Sequence, residues 1–132
     1  MLPKYNDSLE LLEGVRREQL YQNLLVQLKK DFELANVPIN IPLDISPEEL
    51  KSTIHEKIYF LIVEKFPEYL NLLYVVDISE SEVKKIAPSD VVDISAEVSF
   101  LLLKREWQKV WYKAKYSSWP LVRPSRKYPF CP

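Results

Sequence analysis

The chain has 132 residues, 47 % of them apolar and 28 % charged, with a formal net charge of −1. That is enough chain for one domain with its own core, and an ordinary balance for a globular fold. A single glycine excludes a glycine-rich phosphate cradle and disfavours β-meanders, and a single cysteine, Cys131, excludes an internal disulfide.

The first residues, "MLPKYNDSLELLEG", lack the cationic start and apolar run of a signal peptide. No stretch reaches eighteen uninterrupted apolar residues, so no membrane span or membrane partner is expected and the default location is cytoplasmic. The charge is unevenly spread. Residues 1–103 carry ten cationic and eighteen acidic side chains, a balance of −8; residues 104–132 carry eight cations and only Glu106, a balance of +7. A basic end on an acidic body can meet a polyanion, a second copy, or the chain's own acidic surface.

In chain order, Asp7 or Ser8 can cap a short turn ending at Gly14. A helix is predicted from Arg16, with Leu20, Leu24, Leu28 and Phe32 on one face, Leu25 and Ala35 beside them, and a stop at Asn36. "NVPINIPLD" is an extended loop, because each proline biases its predecessor away from helix. "DISPEEL" then starts a helix, with Ser46 as N-cap, Pro47 at the first position, Glu49 completing a capping box, and Ile45 and Leu50 at staple positions. It runs on through Leu50, Ile54, Ile58, Leu61 and Ile62, and Pro67 forces a kink or a new helix. "PEYLNLLYVV" continues helically, although "LLYVV" alone also fits a strand.

"DISESEV" repeats the capping grammar with Ser79, Glu82, Ile78 and Val83; a third "DIS" at 93–95 lacks the glutamate and is not a cap. Pro88 closes that short helix, and Ser89 or Asp90 opens the last, which runs to about Tyr116. Along it Ala96, Phe100, Leu103, Trp107, Val110 and Ala114 form one apolar stripe flanked by Trp111. Val91, Ile94, Val98, Leu101 and Leu102 form a second face in the first half only, so that half is expected to be buried nearly all round. The remaining residues, 117–132, are proline-rich, basic and aperiodic, and read as an extended tail. The expectation is an all-α bundle of four or five helices over residues 1–116, with a long last helix.

Arg105, Lys109, Tyr112, Lys113 and Tyr116 fall on or near the face opposite the stripe, and the tail adds Trp119, Arg123, Arg126 and Lys127. Trp, Tyr and Arg are the residue types enriched at the centres of protein interfaces. The same cations could neutralise phosphates while the rings stack on unpaired bases. Cations at a helix C-terminus also need no partner, since they offset the helix dipole.

Catalytic signatures are sparse. His55, the only histidine, aligns with Tyr59, Ile62 and Phe66 as the boundary of an apolar face, so no metal or cofactor site is expected. A serine-nucleophile elbow is impossible with one glycine. Acid pairs near helix starts, Glu48/Glu49, Glu80/Glu82 and Asp90/Asp93, are accounted for by the dipole. An enzyme built on carboxylates would need three or more of them around a metal.

The segments "LLYVVDISESEV" and "REWQKV" resemble a small family of all-helical bacterial proteins with no assigned activity, over about residues 25–116. The resemblance implies a helical fold and carries no site residues. The expected function is a non-enzymatic protein-interaction or adaptor module, self-association included, that uses the half-exposed end of the last helix. The alternative is a nucleic-acid-binding accessory protein using the same basic, aromatic end.

Overall fold

Helix boundaries in this chain are set by local chemistry that can be followed atom by atom. The computed structural model describes residues 5–87 and 89–116. Those residues form α1 (Ser8–Arg17), α2 (Tyr21–Leu34), α3 (Pro47–Glu64), α4 (Phe66–Val76), α5 (Glu80–Lys84) and α6 (Val91–Tyr116), with no strand among them. The all-α architecture with a long last helix is as expected, but the described residues hold six helices rather than four or five.

The start signals act as read. Asp7 Oδ1 accepts the Glu10 N–H at 2.8 Å. Ser46 and Glu49 make the full capping box: Ser46 Oγ accepts from Glu49 N at 3.2 Å, and Glu49 Oε1 accepts from Ser46 N at 3.3 Å. Ile45 and Leu50 beside it are buried. Ser79 accepts from Glu82 N, and Asp90 from Asp93 N, so Asp90 opens α6. Pro67 starts a new helix rather than kinking the old one. Lys65, at φ −140° and ψ 60°, is the joint, and "LLYVV" stays helical in α4.

The first helix corrects the sequence reading. It does not stop at Gly14 but runs through it to Arg17, with Gly14 buried mid-helix because the Tyr5 ring lies where a Cβ would sit. The break comes later, at Gln19, whose φ of 62° is left-handed. The Leu20 N–H returns to Val15 O and the Gln19 N–H to Arg16 O, the paired bonds of a Schellman stop. The same closure recurs at Asn36, where Val37 N bonds Phe32 O and Asn36 N bonds Glu33 O. Asp77 ends α4 in the same left-handed conformation. Glycine is the usual residue here; this chain uses Gln, Asn and Asp instead and bears their backbone strain.

Helix α6 is the hub, packing against α1, α2, α3 and α4. Its buried face is Ser95, Val98, Ser99, Leu102, Leu103, Glu106, Trp107, Val110 and Trp111. Leu103, Trp107 and Val110 belong to the expected stripe, but Ala96 and Ala114 are exposed and Phe100 is half-buried. Val91, expected on a buried second face, is exposed, while Val98 and Leu102 of that face are buried. The first half is therefore not buried all round; the middle of the helix is the deepest part.

Polar residues caused the misreading. Ser99 returns its hydroxyl to Ser95 O at 2.7 Å and Ser95 to Val92 O at 2.9 Å, so both enter the core as small, satisfied side chains. His55 lies at the α3–α6 seam, with Nε2 3.1 Å from Val92 O and 2.9 Å from Ser95 Oγ.

Two stability changes follow. Gln19→Gly relieves the left-handed strain and raises unfolding free energy by up to about 1 kcal/mol in denaturant titration. Trp107→Ala empties the largest fully buried site and costs about 3–5 kcal/mol by the same measurement; a near-neutral Trp107→Ala would overturn the placement of α6.

Candidate functional site

The C-terminal half of α6, where the sequence concentrates cations and aromatics, is built against α2 and the end of α4. Asp31 and Gln27 of α2 meet Lys109 and Lys113 of α6, so the two helices run antiparallel there. Lys109 Nζ donates to Asp31 Oδ2 at 2.7 Å, and Lys113 Nζ to Gln27 Oε1 at 3.3 Å. Gln27 Nε2 in turn donates to the second Asp31 oxygen at 3.2 Å.

Arg105 turns the other way, to the left-handed stop of α4. It donates to the Asp77 carbonyl at 3.2 Å and to Asp77 Oδ2 at 3.0 Å, and reaches Gln108 Oε1 at 3.3 Å. The remaining cations of this segment sit over rings: Lys104 over Phe100 and Lys115 over Trp111, each 5.4 Å from the ring centre. All five cations between 104 and 116 are thus engaged within the fold, and Arg105 and Lys109 are half-buried. The acidic body and the basic helix end meet inside one molecule.

What this segment turns outward is aromatic. Tyr112 and Tyr116 stack with ring centres 6.0 Å apart and planes 13° apart, and both are exposed. Trp111 meets Tyr112 edge-on at 5.1 Å and anchors the pair to the core. The tail residues Trp119, Arg123, Arg126 and Lys127 lie outside the described residues.

Two features were not read from the sequence. The first is a run of exposed apolar side chains along α3 and α4: Tyr59, Val63, Phe66, Leu70 and Tyr74. All are at least two-fifths exposed, and Tyr74 is 84 % exposed. The spacing is helical within each element, 59/63 on α3 and 66/70/74 on α4, with the break at Lys65 between them, and that periodicity was the available signal. Phe66 contacts the buried Tyr69 at 5.3 Å between ring centres, so the run is seated on the core.

The second is Glu106, the one acid of the basic end, which is fully buried on α6 beside Asp31 and Lys109. Burial holds its carboxyl well above the ordinary range; the neighbouring Asp31 pushes in the same direction, and Lys109 opposes them. Lys109 is 3.6 Å from Glu106 Oε1, and neither Glu106 oxygen has a hydrogen-bond partner as a carboxylate.

Among the described residues, no three His, Cys, Asp or Glu side chains are grouped to hold a metal, and no helix is long and apolar enough to cross a membrane. A surface cleft of about 610 Å³ lies between α5 and the first half of α6, with Ile86, Ile94 and Leu101 beside Glu82, Asp93 and Lys104. Of its carboxylates Glu82 and Asp93 belong to helix starts and Glu97 to the second turn of α6, and no histidine lines it. Comparison with protein-family models, with curated proteins and with solved structures finds no match. Any functional reading therefore rests on this chain's own residues.

Replacing Lys109 by Met leaves Asp31 and Glu106 without their shared cation and destabilises the protein by about 2–4 kcal/mol. Lys115→Ala, on an exposed turn, stays within about 0.5 kcal/mol. Parallel chemical denaturation of the two variants checks this, and equal effects would show that the Lys109 pair contributes nothing beyond a surface contact.

Proposed function

We propose that the protein is a non-enzymatic protein-interaction module. The observation that supports this reading is the exposed run of Tyr59, Val63, Phe66, Leu70 and Tyr74 on α3 and α4. Scattered exposed apolar residues need no explanation, but a periodic series of large ones is a contact surface for a partner that excludes water from it. Tyr and Phe bring large, rigid contact area at low entropic cost, as interface anchors do. The stacked Tyr112–Tyr116 pair is a second, smaller aromatic contact at the end of α6.

The nucleic-acid alternative has less behind it. It needs cations free to meet phosphates, and the five of α6 are turned to Asp77, Asp31, Gln27 and two rings. Breaking Lys109 from Asp31 would strand buried acids, a cost that phosphate contact would have to exceed.

Affinity capture from native extract, with and without nuclease, tests the proposal. Leu70→Glu with Tyr74→Glu is expected to lose a nuclease-resistant protein partner held by the wild type, while circular dichroism and thermal midpoint stay native. Tyr112→Ala with Tyr116→Ala shows whether the smaller contact belongs to the same partner. Identical retained proteins from wild type and the α4 variant would sink the α3–α4 surface. Retention of nucleic acid alone, lost at high salt, would favour the alternative.

A further inference from the structure

Glu106 presents a problem that geometry must solve. A buried carboxylate is tolerable only with donors around it, and Glu106 is 0 % exposed with no donor in hydrogen-bonding contact. The ammonium of Lys109 is closer to Asp31, at 2.7 Å, than to Glu106, at 3.6 Å. Asp31 is itself buried, and its two oxygens take Lys109 and Gln27. One cation thus serves two buried acids.

The shorter Lys109–Asp31 distance selects one arrangement of the charge and the proton. If Asp31 is the carboxylate paired with Lys109, Glu106 must keep its proton. A protonated carboxyl has the O–H donor that the anion lacks, and Asp31, held on the same Lys109 ammonium, is the neighbouring acid that can accept it. We infer that Glu106 is held in the folded protein as a neutral carboxylic acid that donates its proton to Asp31, and that this shared proton fastens the C-terminal half of α6 to α2. Loss of the proton places two buried negative charges against one ammonium at the α2–α6 seam. The device is a built-in release of that half-helix as pH rises.

The groups acting on Glu106 are few. Asp31 faces it from α2 and Lys109 from α6. Lys113 is turned to Gln27, and Arg105 to Asp77. Among the described residues of α1, α3 and α4, no charged group acts on it.

The direction of the pH dependence follows from the raised carboxyl. Below its ordinary value of 4.5, Glu106 is protonated both folded and unfolded, and its contribution is fully present. Above that value the unfolded chain ionises first, so stability falls with rising pH until the folded group also ionises. Over that window the unfolding equilibrium constant rises about tenfold per pH unit on account of this group alone.

Glu106→Gln supplies a permanent N–H donor in the same place. It is expected to remove that tenfold-per-unit dependence, measured by urea titration from acid to alkaline pH, and to leave the variant the more stable at alkaline pH. An unchanged pH slope would overturn the inference. Carboxyl-carbon NMR of the wild type reads the proton directly and does not depend on a variant folding. One glutamate resonance stays at the protonated position at pH values where the other glutamates have ionised, and its absence would sink the proposal. Asp31→Asn provides the converse. It leaves Glu106 as the acid beside Lys109 and removes the second negative charge, so the resonance should ionise at lower pH than in the wild type; an unchanged titration would show that Asp31 does not hold the proton.

Discussion

Helix α6 must bury its middle against four other helices while carrying an acid on its buried face. Everything at the α2–α6 seam follows from that constraint. Lys109 has to lie along the helix surface toward Asp31 rather than reach into water, and Gln27 has to bridge Asp31 to Lys113. A buried ion pair of this kind is weak evidence of added stability, because desolvating the charges offsets most of their attraction. Its consequence is directional: of the ways α2 and α6 could slide past one another, only one brings Asp31, Glu106 and Lys109 together.

The same seam takes up part of the basic end. A net +7 over residues 104–132 against −8 over the body looks like a polyanion surface when the chain is read as a line. In the fold, Asp31 and Asp77 come from the acidic body to meet Lys109 and Arg105. The Arg105–Asp77 pair is largely exposed and is worth little as a surface ion pair. Its hydrogen bond to the Asp77 carbonyl nevertheless ties α6 to the turn that ends α4. Beside these engaged cations, α3 and α4 expose Tyr59, Val63, Phe66, Leu70 and Tyr74.

Glycine scarcity shapes the rest. Three left-handed positions are filled by Gln19, Asn36 and Asp77, and the single glycine is used mid-helix for close approach by Tyr5. Val37 and Ile78, just past two of these stops, are buried. The strained turns are held by the hydrophobic contact that follows them.

The sequence by itself determined the helical class and most helix starts. The N-caps, the one capping box and the prolines act within four residues, and the cap hydrogen bonds close without help from distant chain. The α2 core face and the α3 core face were legible for the same reason: an apolar side chain at helical spacing has one place to go. The true buried face of α6, the break at Gln19 and the exposed run on α3 and α4 were decided by tertiary structure. Ser95, Ser99 and Glu106 are polar by composition, yet they are buried because a hydroxyl can bond its own helix and an acid can find Asp31 from seventy-five positions away. Periodicity reports which side chains avoid water. It does not report which polar ones have found partners elsewhere in the chain, or which apolar ones have been left uncovered, because both depend on what packs opposite.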